Sequence, residues 1–189
     1  MSRLTSKQFD QAVSKCKDIF LNKMKDYGTA WRILRPSSLT DQIFIKAQRI
    51  RSIEDKKMQK ILESVESEFI GIINYAAIAL VQLSLPENSP IELGADDARN
   101  RIEKEFMAAK SLMMDKNHDY GEAWRDMRIS SMTDLILMKL LRIKQIEDNK
   151  GETISSEGVE ANYYDIINYA VFALIKIDEE KVNSSKSFN

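Results

Sequence analysis

His118 is the only histidine in this 189-residue chain and Cys16 the only cysteine. Nucleophile activation by histidine and a His- or Cys-based zinc site are therefore poorly supplied. No Gly-rich phosphate loop and no paired-cysteine signature occurs. Chemistry is left to carboxylates, Lys, Arg and aromatic rings. The carboxylates of interest lie in "SSEGVEANYYDIINYA", starting at Ser155. At about 100° per residue, Glu157, Asp165 and Asn168 fall within roughly 80° of one another on a helix, with Glu160 about 60° to the other side. Three acids and an amide beside Ile166, Ile167, Ala170 and Val171 are costly to bury without a cation. Mg²⁺ (or Mn²⁺) prefers such oxygen ligands and bridges them to phosphates. A solvated acidic helix start accounts for Glu157 and Glu160 but not for Asp165, which falls in the third turn. Glu157, Glu160 and Asp165 are thus the expected metal ligands and catalytic acids.

Cations and rings come from a segment that occurs twice, "KMKDYGTAWRILRPSSLTD" from Lys23 and "KNHDYGEAWRDMRISSMTD" from Lys116. Arg32 and Arg35, matched by Arg125 and Arg128, sit beside Tyr27/Trp31 and Tyr120/Trp124. Guanidinium groups grip phosphate in a bidentate way, and a ring such as Tyr120 or Trp124 can stack on a base. Farther on, Lys46 and Arg49, matched by Lys139 and Arg142, are three apart and share a helix face. The expected substrate-binding set is therefore Tyr120, Trp124, Arg125, Arg128, Lys139, Arg142 and Asn168, with Arg32, Arg35, Lys46 and Arg49 from the first copy. The competing structural account makes the Trp rings core anchors and pairs the arginines with carboxylates.

The doubling extends beyond this segment. Sliding the chain by 93 positions aligns Lys23–Asp55 with Lys116–Asp148, with 19 of 33 pairs identical, and the match resumes at an offset of 94. The chain reads as a tandem duplication: a first repeat over 1–85, a linker over 86–97 and a second repeat over 98–189, with a disordered tail from about 181. The linker "SLPENSPIELGADD" gathers two of the three prolines and a Gly. Each repeat predicts three helices, from about Ser6 to Lys25, from Ser38, and from Glu63 to Leu83. Their counterparts are Ala98–Lys116, a helix opening at Ser131, and Ser156–Lys176. Ser38-Leu-Thr-Asp41 and Ser131-Met-Thr-Asp134 have the spacing of a capping box. The fold class is all-α, and a repeat this short buries too little alone, so the two are expected to pack as a pseudo-two-fold bundle. In the second repeat the acids are retained. In the first, Gly71 stands opposite Asp165, and its own acidic site reads as degenerate.

Lys+Arg 28 against Asp+Glu 29 gives a formal charge of −1, without the basic excess of a nucleic-acid or membrane binder. A lone cysteine suits a reducing compartment. No run approaches the roughly 18 apolar residues of a membrane span, and the N-terminus lacks an apolar signal core. The expectation is a cytoplasmic protein with no membrane and no nucleic-acid partner.

"DYGxAWR", "K…RI…IE" and "EGVEANYYDIINYA" resemble a bacterial and phage nucleotide-modification-associated domain family, once per repeat and over nearly the whole chain. The family in turn resembles the all-α MazG-type pyrophosphohydrolases. That resemblance implies a MazG-like helical bundle, Mg²⁺ held by acids on two helices, and cleavage of an NTP or dNTP to monophosphate and pyrophosphate. The family pattern E-x-x-E-D-x-x-x-D-x-x-N-Y is met by Glu157, Glu160, Asp165, Asn168 and Tyr169, with Ala161 in place of its middle acid. In the first repeat Glu63, Glu66, Asn74 and Tyr75 match, with Ser67 and Gly71 in place of both aspartates. Two functions follow as alternatives: a Mg²⁺-dependent nucleoside triphosphate pyrophosphohydrolase, or a non-catalytic nucleotide-binding or interaction protein on the same fold. The partner in either case is a nucleotide, and a homodimer of the fused pair is compatible with both.

Overall fold

The computed structural model describes residues 3–56, 64–154 and 157–186. Its helices are α1 (Arg3–Tyr27), α2 (Pro36–Lys56), α3 (Val65–Ser84), α4 (Ala95–Tyr120), α5 (Ile129–Asp148) and α6 (Val159–Lys186). A short 3-10 turn precedes α2 (Ala30–Ile33) and α5 (Ala123–Asp126). No strand occurs among the described residues, so the all-α expectation holds, as does the repeated three-helix unit.

Burial follows from apolar spacing. In α1 the stripe Phe9, Ala12, Cys16 and Phe20 recurs every three or four residues and is buried. In α2 the stripe is Leu39, Ile43, Ala47 and Ile50, matched in α5 by Met132, Ile136, Leu140 and Ile143. Helices α3 and α6 are apolar nearly all round and form the centre, packed on one another. Helix α2 lies against α3, α5 against α6, and α2 against α5, while α1 and α4 lie over this four-helix core. Against the expectation that no run approaches bilayer length, α3 is long and apolar enough by composition to cross a membrane. In the bundle 61% of that span is buried, and it serves as core.

The repeats face one another as a two-fold pair would, three polar contacts occurring twice with roles exchanged. Lys110 donates to Asp10 at 2.7 Å, and Lys17 to Glu103 at 3.0 Å. Thr40 donates to Glu147 at 2.8 Å, and Thr133 to Glu54 at 3.1 Å. Lys144 reaches Asp41 at 2.5 Å, and Arg51 reaches Asp134 at 3.6 Å.

Several boundaries differ from expectation, for physical reasons. Helices α2 and α5 start two residues earlier, at Pro36 and Ile129, so Ser38 and Ser131 do not cap them. Proline suits the first helical turn, where its missing N–H costs nothing. The Thr and Asp of each supposed capping box are instead turned across the pseudo-two-fold interface. A side-chain cap does form on α3, where Ser64 accepts from the Ser67 N–H at 3.1 Å. Helix α6 runs on to Lys186, so residues 181–186, expected as a disordered tail, are helical. The D-Y-G breaks behave as expected: Gly28 (φ 57°) and Gly121 (φ 65°) take the positive φ that glycine tolerates where α1 and α4 end.

Candidate functional site

In the second repeat Asp165 is buried and holds two ammonium groups. Lys116 Nζ from α4 lies 2.5 Å from Oδ1, and Lys139 Nζ from α5 lies 2.6 Å from Oδ2. Burial works against the charge on Lys116, but the hydrogen bond and negative charge of Asp165 outweigh it and raise its pKa. Burial and then the Asp165 charge push the Tyr169 hydroxyl up as well. Glu157 precedes α6, Glu160 lies in its first turn, and both are exposed. Among the described residues no three His, Cys, Asp or Glu side chains converge to hold a metal. Both Asp165 oxygens are satisfied by cations that would repel a divalent ion, so the residues as placed do not fit Mg²⁺ or Mn²⁺. Glu63, the first-repeat match to Glu157, lies outside the described residues.

The first repeat keeps the same charge pattern by a different route. Lys46 and Arg49 of α2 both pair with Glu68, which is 3% exposed, the Lys46 contact being 3.2 Å. Glu68 lies one helical turn before Gly71 and aligns with Asn162 of the second repeat. A Cβ on Gly71 would meet Lys46 Cε at 2.8 Å and Cδ at 2.9 Å. The glycine therefore leaves the lane along which the lysine stem reaches Glu68. Where Asp165 stands opposite Gly71, Lys139 stops one turn sooner. The acid read as lost has moved, and a search one turn back from Gly71 finds it.

The duplicated loops serve different ends. Arg32 clasps the linker, its guanidinium donating to Pro90 O at 3.2 Å, Ser89 O at 3.1 Å and Gln82 Oε1 at 2.5 Å. Thr29 beside it donates to Ile91 O and accepts from the Leu93 N–H. Arg125 ties α1 to α6 through Thr5 (2.7 Å), Gln8 (2.8 Å), Glu122 (2.6 Å) and Glu179 (3.1 Å). Trp124 stacks on Phe172 at 4.3 Å, nearly parallel, while the Arg125 guanidinium lies 4.4 Å over the same indole. With both neighbours against it the indole is 5% exposed, which leaves no open ring face for a base. Tyr120, Arg128 and Arg142 are exposed, as is Arg35.

One open cleft lies in the first repeat, and a shallower hollow lies between the repeats. A cleft of about 520 Å³ runs between the end of α1, the Tyr27–Trp31 loop, Lys46 of α2 and the Ser67–Ile78 stretch of α3. Phe172 has Ile78 as its counterpart, and without that ring Trp31 is left half-buried at the cleft wall. Tyr27, Tyr75, Phe20 and Met24 supply further apolar surface, and Lys23, Lys46 and Glu68 supply charge. Asn74, 8% exposed, donates from Nδ2 to Cys16 O at 2.9 Å, and its Oδ1 is buried without a partner. Trp31 Nε1 is likewise buried and unpaired, as are Trp124 Nε1 and both amide atoms of Asn168. Cys16 itself is inert toward thiolate chemistry, since burial pushes its thiol up to about 12.

Of the residues singled out from sequence, Lys139 and Asp165 meet directly, with Arg142 close enough to act on Tyr169 beside them. Lys46 and Arg49 meet on Glu68. Glu157 and Glu160 stand apart at the surface. Glu68 and the steric role of Gly71 are not visible in the pattern of retained residues, whereas Lys116, matched by Lys23, is retained but is not among the residues singled out. Comparison with curated proteins and with solved structures yields no match. A family profile described as nucleotide modification associated domain 1 matches residues 23–83 and again residues 116–177. With well over half of its length covered by two copies, the chain belongs to the nucleotide modification associated domain 1 family.

Proposed function

We propose that the protein binds a phosphorylated nucleoside in the first-repeat cleft. The observation that carries this reading is the cleft's mixed lining, which brings together the rings of Tyr27, Trp31 and Tyr75 and the ammonium side chains of Lys23 and Lys46. A volume of about 520 Å³ lies in the range of small-ligand pockets. Aromatic rings accept a base by stacking, and ammonium and guanidinium groups accept phosphate. Lys46, which lines the cleft, and Arg49 converge on Glu68. The family description is consistent with a nucleotide ligand. Titration calorimetry with nucleoside mono-, di- and triphosphates tests the proposal. Binding that weakens at least tenfold in Lys46→Ala is expected; absence of binding by every nucleotide would overturn it.

The catalytic alternative, pyrophosphate release from an NTP or dNTP, draws its support from the family pattern over Glu157, Glu160 and Asp165. Glu157, though exposed, acts electrostatically on Lys116. For Asp165 to serve a metal it would first have to leave both lysines. A pyrophosphate-release assay with Mg²⁺ or Mn²⁺ decides: turnover abolished by Asp165→Asn establishes the enzyme, and bound nucleotide without turnover establishes the binding protein.

A further inference from the structure

Lys23 of α1 and Lys116 of α4 stand at matched positions of the two repeats, yet they meet different surroundings. Lys116 shares the Asp165 carboxylate with Lys139, the two ammonium groups lying 2.5 and 2.6 Å from its oxygens. A single oxyanion of carboxylate size therefore spans the gap between these two lysine positions. In the first repeat Gly71 stands opposite Asp165, and Lys46, the match to Lys139, runs past it to Glu68. Lys23 is exposed and makes no hydrogen bond or ion pair with any described residue. Lys23, Lys46 and Gly71 nevertheless line one open cleft. A Cβ on Gly71 would lie 3.1 Å from Lys46 Nζ, so that ammonium stands beside the glycine. An ammonium has three donors, and Glu68 engages one of those on Lys46. Resting on the nucleotide reading above, we infer that the ligand's phosphate bridges Lys23 and Lys46, in the place that the Asp165 carboxylate holds in the second repeat. Among the described residues Lys23, Lys46 and Glu68 are the only charged side chains that line this cleft. Two ammonium groups match a single phosphate, whereas the added charge of a triphosphate would meet the Glu68 carboxylate and no further cation. The ligand is then a nucleoside monophosphate.

The second repeat provides the internal contrast. There the protein's own Asp165 fills the bridging position between the two lysines. In the first repeat Glu68 serves Lys46 and Arg49 from one turn back and makes no ion pair with the α1 lysine. The bridge between α1 and α2 is thereby left to an anion from outside the chain.

Titration calorimetry of the full chain with AMP, GMP, CMP and UMP, their nucleosides and their triphosphates tests the inference. Two variants are compared with wild type. Glu68→Asn combined with Gly71→Asp rebuilds the second repeat's arrangement and places a carboxylate between the lysines. Lys23→Met removes one charge from an exposed side chain, so it remains informative if the double variant does not fold. The tightest monophosphate is expected to lose on the order of tenfold in affinity in each variant. Its parent nucleoside, which has no phosphate, should bind wild type and Lys23→Met equally, and its triphosphate should bind no tighter than the monophosphate. A monophosphate that binds Lys23→Met as tightly as wild type would overturn the bridging phosphate and leave the nucleotide proposal standing. An equal loss for nucleoside and monophosphate in Lys23→Met would do the same. A triphosphate that binds wild type about tenfold tighter than its monophosphate would overturn the single-phosphate assignment. Failure of every nucleotide to bind wild type would overturn both this inference and the nucleotide proposal.

Discussion

At the scale of single residues, the molecule is governed by where charge is compensated. Asp165 is 7% exposed at its side chain and Lys139 10%, so neither can hydrate if the other is removed. Asp165→Asn is expected to destabilise the protein by about 3 kcal/mol, because it strands a buried ammonium. Adding Lys139→Met to that variant should recover much of the loss, and urea unfolding measures both. A metal-ligand role alone predicts little change in stability. Gly71→Ala tests the other repeat. Alanine favours a helix by about 1 kcal/mol over glycine, but its Cβ displaces the Lys46 stem from Glu68. Stability should shift by less than about 1 kcal/mol while nucleotide affinity changes, a split that calorimetry and urea unfolding together reveal. Which acids matter was only partly legible in the sequence. Asp165 stood out because a third-turn acid beside isoleucines needs a cation. Glu68 did not, because comparing repeats position by position cannot show a partner that has moved by one turn.

At the scale of elements, helices, their order and their duplication were legible because apolar spacing and repeat identity are local properties. Helix starts were misread because the Thr and Asp of each capping-box pattern serve α2–α5 packing. That interface stores a pH dependence. Burial pushes the carboxyls of Glu54 and Glu147 above their usual value, their threonine partners offset part of this, and neighbouring aspartates add to it. A carboxyl with a raised folded-state pKa binds its proton more tightly in the folded protein, so stability falls as pH rises from about 4.5 through that pKa. Glu147→Gln should therefore raise the thermal midpoint at pH 7 and leave it unchanged near pH 4, as differential scanning calorimetry would show. The Trp124–Phe172 stack, which makes the two loops unequal, was not legible. Identical D-Y-G-x-A-W-R segments hide the fact that their opposing residues are Phe172 and Ile78. Phe172→Ile should cost about 1–2 kcal/mol and leave Trp124 open to acrylamide quenching; an unchanged quenching constant would show that the stack does not close the second repeat.

At the scale of the whole molecule, the duplication supplies each repeat with a partner surface it cannot do without. Helix α3 is apolar on the side that meets α6 as well as on the side that meets α2. A chain ending after residue 86 would expose that face to water, well beyond the patch size tolerated by monomers. Such a fragment should be either unfolded or a homodimer, as circular dichroism and light scattering would report. A folded monomer would show that the repeats are independent. Fusion also allows divergence: in a homodimer both clefts must share one sequence, whereas here one copy closes around Trp124 and the other stays open.

The relocated carboxylate constrains how either repeat can change. Converting the first repeat's arrangement into the second's takes two substitutions, Glu68→Asn and Gly71→Asp. Made first, Glu68→Asn leaves Lys46 and Arg49 facing a buried amide. Made first, Gly71→Asp crowds a lane already filled by the Lys46 stem. Each single step passes through a worse protein than either end point. The two repeats therefore occupy separate adaptive peaks, and transplanting residues between them succeeds only in pairs.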